Sequence, residues 1–133
     1  MKSPLQVDDA PKAIGPYTQA QVVRLHGGQK LLYSAGQVGL DPKTNDLVPG
    51  GIQAETRRAI QNLANVLRGA NLSLADVVKT TVFLADMADY PAMNEVYAQA
   101  FGASPPARTT VAAAGLPRNA RVEIELVAVG RDL

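Results

Sequence analysis

From Val77 to Ala85 the chain is apolar on both alternating faces except at Lys79, the pattern of a strand inside a sheet and buried on two sides. A second stretch, Arg121 to Val129, places Val122, Ile124, Leu126 and Ala128 on one side and Val127 and Val129 on the other. Strands of this kind need cover above and below. The rest of the chain supplies only two helical patterns to provide it.

The first runs from Ile52 to Ala70, with apolar residues at Ile52, Ala59, Ile60, Leu63, Val66, Leu67 and Ala70 and polar Arg57, Arg58, Gln61 and Arg68 elsewhere. The second is expected to start at a capping Asp89, to carry Met93, Val96, Tyr97, Ala100 and Phe101 on one side, and to leave through Gly102. Upstream, Thr18–His26 and Lys30–Ala35 flank Gly27-Gly28 and read as a hairpin. Turn residues fill Asp41 to Asp46, and Val48-Pro49-Gly50-Gly51 breaks the chain before the first helix. Ser73 and Asp76 have capping-box spacing, and Ala107–Ala114 reads as a further strand, joined to the last around Leu116-Pro117-Arg118-Asn119. The order is ββαβαββ. Right-handed crossovers place both helices on one face, which predicts an α+β fold built on a single mixed β-sheet. The other face is left open and apolar, so a closed homo-oligomer is expected.

With 133 residues, 47% of them apolar and 19% charged, the chain suits one folded domain spanning residues 1–133. A net charge of +1 provides no global field to attract nucleic acid or an anionic membrane. No apolar run approaches the roughly 18 residues of a membrane span, and Met1–Asp9 lacks the apolar centre of a signal peptide. A soluble, cytoplasmic protein is expected. The absence of Cys removes disulfides and thiolate chemistry, and the single His26, beside Gly27-Gly28, excludes multi-His metal sites.

The remaining candidates for chemistry are Tyr17, the Gly36-Gln37 bend, Asn94, Arg108, Thr110, and Glu123 with Glu125. Each also has an ordinary explanation. Tyr17 suits a half-buried ring, Asn94 a helix-surface amide, and Glu123 and Glu125 the solvated face of an edge strand. Gly15 and Gly36 suit turns, and a lone arginine commonly serves the surface.

Taken in order, however, Ala10-Pro11-Lys12-Ala13-Ile14-Gly15-Pro16-Tyr17-Thr18-Gln19-Ala20, Ala35-Gly36-Gln37-Val38-Gly39-Leu40-Asp41-Pro42, Val77–Asp86, Pro106-Ala107-Arg108 and Val122-Glu123-Ile124-Glu125 resemble the landmarks of the RidA/YjgF family, the reactive intermediate deaminases. The resemblance runs from about residue 10 to about residue 130. It implies a fold similar to bacterial chorismate mutase, trimeric, with clefts between subunits. It also implies that Arg108 binds a substrate carboxylate and that Glu123 orients the attacking water. Tyr17, Gly36 and Asn94 would line the cleft, with main-chain groups near Thr110 and Gly36 holding the nitrogen. Two positions depart from many members of the family: Ala35 replaces a serine beside the Gly-Gln pair, and Thr110 replaces a cysteine found in some.

The reaction so implied is hydrolysis of 2-iminopropanoate and 2-iminobutanoate, tautomers of 2-aminoacrylate and 2-aminocrotonate, to 2-oxo acids and ammonia. No metal or organic cofactor is expected, because a planar guanidinium can fix the carboxylate and one general base can activate water. Two other readings remain at this point. One is a small-molecule-binding regulatory protein that uses the same cleft without turnover; the other is an RNA-directed translation inhibitor or ribonuclease, which lacks a stacking platform here.

Overall fold

The computed structural model describes residues 1–132; Leu133, the last residue of the expected domain, lies outside the described residues. The strands are β1 (Lys2–Leu5), β2 (Ala20–Arg24), β3 (Gln29–Ser34), β4 (Gln37–Val38), β5 (Val77–Leu84), β6 (Ala107–Ala112) and β7 (Val122–Arg131), and the helices are α1 (Gly51–Gly69) and α2 (Tyr90–Phe101). They form one sheet in the order β1-β2-β3-β7-β5-β6, with β4 also pairing with β7. Only β5 and β6 run parallel, so the sheet is mixed. The order ββαβαββ is present as β2-β3-α1-β5-α2-β6-β7, and the structure adds β1 and β4 to it. Both additions are short. Lys2-Ser3-Pro4-Leu5 has no apolar alternation, and its proline is tolerated because β1 lies at the sheet edge.

The turn between β2 and β3 uses Gly27 and Gly28 at φ +82° and +77°, a region that admits glycine without a Cβ clash. Ser73 and Asp76 form the expected capping box, with the Ser73 amide 2.8 Å from the Asp76 carboxylate. Capping before α2 differs from expectation. Asp89 makes no side-chain cap; Asp86 accepts from the Ala88 amide instead and starts a short 3-10 turn at Met87–Asp89 that leads into the helix. A proline at the second position of α2 fits there because that residue's amide has no helical partner to lose.

Both helices pack on one face of the sheet. The core joins Ala59, Leu63, Val66 and Leu67 of α1 and Met93, Tyr97 and Phe101 of α2 to Leu32, Val82, Leu84, Val122, Ile124, Leu126 and Ala128. On β7 this buries the expected set and turns Glu123, Glu125, Val127 and Val129 to the opposite face. That face has no layer over it: Tyr33, Val111 and Val129 are 49%, 43% and 40% exposed in the single chain. The strand carrying the two glutamates is not an edge strand, since β7 lies between β3 and β5.

Candidate active site

Arg108 sits near the start of β6, opposite Thr80 of β5, and strand partners share a face. Thr80 points at the helices, where its hydroxyl lies 2.6 Å from the Tyr97 hydroxyl. Arg108 therefore projects towards α2, which meets it with one stripe of side chains. Its Nη1 donates to Asn94 Oδ1 at 2.8 Å and its Nη2 donates to the Tyr90 hydroxyl at 2.7 Å. The guanidinium carbon lies 4.6 Å from the centre of the Tyr97 ring and 5.4 Å from that of Tyr90. Tyr90, Asn94 and Tyr97 follow helical spacing, so a single face of α2 both binds and stacks the cation. Burial pushes the Tyr97 phenol above its usual pKa, against smaller lowering effects of Thr80 and Arg108, so under the guanidinium it remains a neutral ring. Pro105, Pro106 and Phe101 shape the hollow beside this group.

Thr110 follows Arg108 by two residues and shares its face of β6. Its hydroxyl oxygen is buried and has no hydrogen-bond partner among the described residues.

Glu123 lies elsewhere. It pairs with Phe83, on the face opposite Thr80 and Arg108, and lines a hollow with Tyr17, Gly36, Lys12, Gln37 and Arg118. Burial raises the Glu123 pKa above the usual carboxylate range, and the charge of Glu125, on the same strand face, raises it further. Gly36 backs directly onto this carboxyl group: a Cβ at position 36 would stand 2.7 Å from Glu123 Cδ and Oε2. The glycine is needed for this close approach, not for an unusual φ.

Buried amides hold this second hollow in shape. The Gln19 side chain accepts from the Val7 amide at 2.7 Å and donates to the carbonyls of Val7, Ala10 and Pro11, which fastens the segment leading to Tyr17. Asn62 of α1 donates to the carbonyls of Val38 and Leu40, and Glu55 accepts from the Arg121 amide at 2.9 Å. Thus α1 holds both segments that flank Glu123. Ser34, the hydroxyl beside Ala35, accepts from the Leu126 amide at 3.0 Å and serves the sheet.

The candidate residues thus fall into two groups, Arg108, Asn94 and Thr110 in one and Tyr17, Gly36 and Glu123 in the other, on opposite faces of the sheet. Sequence reasoning did not single out Tyr90, Tyr97 or Gln19. The spacing of Tyr90, Asn94 and Tyr97 on one helix face is the signal that points to the first two; the contacts of Gln19 leave no local signature.

A single mixed sheet with two helices on one face, an arginine held by α2 and a half-buried carboxylate on the opposite face, defines a small α+β protein. The chain belongs to the RidA/YjgF family, through a match to the family described as Endoribonuclease L-PSP over residues 7–130. It is 49% identical over 120 residues to the 2-iminobutanoate/2-iminopropanoate deaminase of Mus musculus, covering 90% of this chain and 85% of that protein. Among solved structures, E. coli TdcF with bound serine superposes with a TM-score of 0.86 at 35% identity, covering 96% of this chain and 98% of that one. RidA from the Antarctic bacterium Psychrobacter gives a TM-score of 0.85 at 37% identity, covering 95% and 98%.

Proposed function

We propose that this protein is a 2-iminobutanoate/2-iminopropanoate deaminase, whose complete cleft joins the Arg108 half-site of one subunit to the Glu123 half-site of another in a homotrimer. The deaminase reading is supported by the identity to the Mus musculus enzyme. The observation that carries the site assignment is the pre-positioned guanidinium: Asn94, Tyr90 and Tyr97 hold Arg108 in place, yet leave three of its five donors for a ligand. Serine, the molecule bound in the E. coli relative, carries an α-carboxylate of the kind that such a fork accepts.

In this reading the substrate carboxylate lies on Arg108 and the C=N carbon faces Glu123 of the neighbouring subunit. Glu123 takes a proton from water as the hydroxyl adds to that carbon, and the proton passes to the nitrogen. The carbinolamine then collapses: the C–N bond breaks, the carbonyl forms, and ammonia leaves. The Glu123 carboxylate, made more basic by burial and by Glu125, suits the base role. Positioning is sufficient for the rest, because two-point binding of the carboxylate fixes the reacting carbon. Tyr17 and Gly36 would close the wall beside Glu123, and the Thr110 hydroxyl faces the Arg108 side.

Neither helix is long and apolar enough to cross a membrane. The reading places the protein in the cytoplasm, where pyridoxal-phosphate enzymes release the enamines. Freshly generated 2-aminoacrylate, followed by a coupled pyruvate assay with a chelator present, tests the activity. Pyruvate formation faster than in buffer is expected; a folded sample with no effect would return the protein to the binding reading.

A further inference from the structure

Two of the five N–H donors of Arg108 are occupied within the chain, one by Asn94 and one by Tyr90. In the Tyr90 contact, 2.7 Å long, the phenol oxygen is the acceptor, because a guanidinium has no lone pair to offer. The O–H of Tyr90 is still free to donate, and it has no acceptor among the described residues. Tyr90 is the first residue of α2 and only half-buried, and its ring stands beside the guanidinium it touches. A donor without an acceptor thus stands next to a fork with donors to spare.

We infer that the Tyr90 hydroxyl is a third carboxylate donor, which grips the substrate together with the Arg108 fork. The inference rests on Arg108 being the carboxylate-binding residue. An ionised carboxylate offers about four lone-pair sites, so a fork and a phenol can bind it at once without competing. The bond that Tyr90 accepts from a cation polarises its O–H and strengthens it as a donor. The combination selects the substrate class: a fork and an adjacent phenol donor favour a free α-carboxylate and disfavour an amide or ester, which presents fewer acceptors. A ligand held this way before and during reaction gains uniform binding, so the contribution of Tyr90 belongs in KM rather than kcat.

Tyr90→Phe keeps the ring and its place in the helix and removes only the hydroxyl. Pyruvate, a stable 2-oxo acid with the same carboxylate, serves as the probe in NMR titrations of the intact oligomer, with Tyr90→Phe, Arg108→Lys and the double variant compared. Tyr90→Phe is expected to bind pyruvate about ten-fold more weakly and to raise KM by a similar factor with kcat nearly unchanged. A smaller but measurable loss is expected again when the substitution is made in the Arg108→Lys background, where the polarising guanidinium is gone. Equal affinity of wild type and Tyr90→Phe overturns the inference and leaves Arg108 in its role. An effect that vanishes in the Arg108→Lys background also overturns it, leaving the tyrosine as a support for the guanidinium alone. An Arg108→Lys variant that binds pyruvate as tightly as wild type removes instead the reading of Arg108 on which the inference rests.

Discussion

Arg108 is held by geometry that an ammonium cannot copy: two directed hydrogen bonds, to Asn94 and Tyr90, with the guanidinium over the Tyr97 ring. Arg108→Lys is therefore expected to fail nearly as badly as Arg108→Ala, with a loss of about 1.5–3 kcal/mol, or roughly ten- to 150-fold in kcat/KM. Steady-state kinetics on 2-aminoacrylate check this, and a lysine variant near wild type would show that charge alone suffices. Glu123 carries the opposite burden, a carboxylate kept above its ordinary pKa by burial and then by Glu125. If it is the base, its ionisation is expected to set an acid limb in kcat/KM, and Glu125→Gln, which removes the like charge, to move that limb to lower pH. Glu123→Gln is expected to cost roughly 100-fold in kcat. The sign for stability runs the other way. A native pKa above the unfolded one means that the folded state binds more protons between the two values, so stability falls as pH rises through that window. At pH 7 the ionised group is a cost to the fold, and Glu123→Gln should raise Tm while it removes turnover; a lower Tm would contradict the desolvated carboxylate.

Segments rather than single residues set how near these groups come to each other. The bend between β3 and β4 brings the Gly36 backbone against Glu123, and a methyl group there would occupy the space of the carboxyl group. The obstructed atoms are the far end of a flexible side chain, so the fold can absorb Gly36→Ala by swinging the carboxylate aside. The expected result is a kcat lower by roughly 100-fold, from about 1 Å of misplacement, with a thermal melt close to wild type. Unfolding instead of inactivation would mean that the glycine serves the backbone and not the site. At the other end of β7, Lys30 is buried against Asp132 at 2.9 Å, and Arg24 holds the second carboxylate oxygen of Asp132 at 3.1 Å. The Lys30 hydrogen bond holds the Asp132 carboxyl below its usual pKa. The long central strand is thereby fastened at the end remote from Glu123.

In the proposed cleft, the opposite placement of Arg108 and Glu123 would make the assembly part of the chemistry. A homotrimer is expected by light scattering, with the open sheet face that carries Tyr33, Val111 and Val129 at the contact. Mixing gives a sharper test. Arg108→Ala and Glu123→Gln trimers are each inactive on their own, but every mixed trimer has one interface that joins an intact arginine to an intact glutamate. Random co-refolding at equal amounts makes about three quarters of the trimers mixed, each with one of three clefts restored, hence about one quarter of wild-type activity. No recovery in a verified mixture would overturn the cleft shared between subunits.

The elements and most of the candidate residues were legible in the sequence, because periodicity and motif spacing are local. Alternation along Val122–Val129 separates core from open face without any knowledge of partners, and the run of Ala59, Ile60, Leu63, Val66 and Leu67 defines the apolar part of the buried stripe of α1. A strand such as Lys2–Leu5 leaves no such mark, since only its pairing with β2 makes it a strand. The glutamates looked like an edge-strand pair because strand order is a property of the folded sheet, and β7 proves to be central. The motifs that resemble the family name Arg108 and Glu123 together but do not say on which face of the sheet each lies. Only the tertiary structure shows that strand pairing sends one towards α2 and the other to the open face, because which way a side chain points depends on register with a neighbour far away in the chain. For the same reason Tyr90 became visible only when α2 was laid against β6, where its hydroxyl meets a guanidinium that lies 18 residues further along the chain.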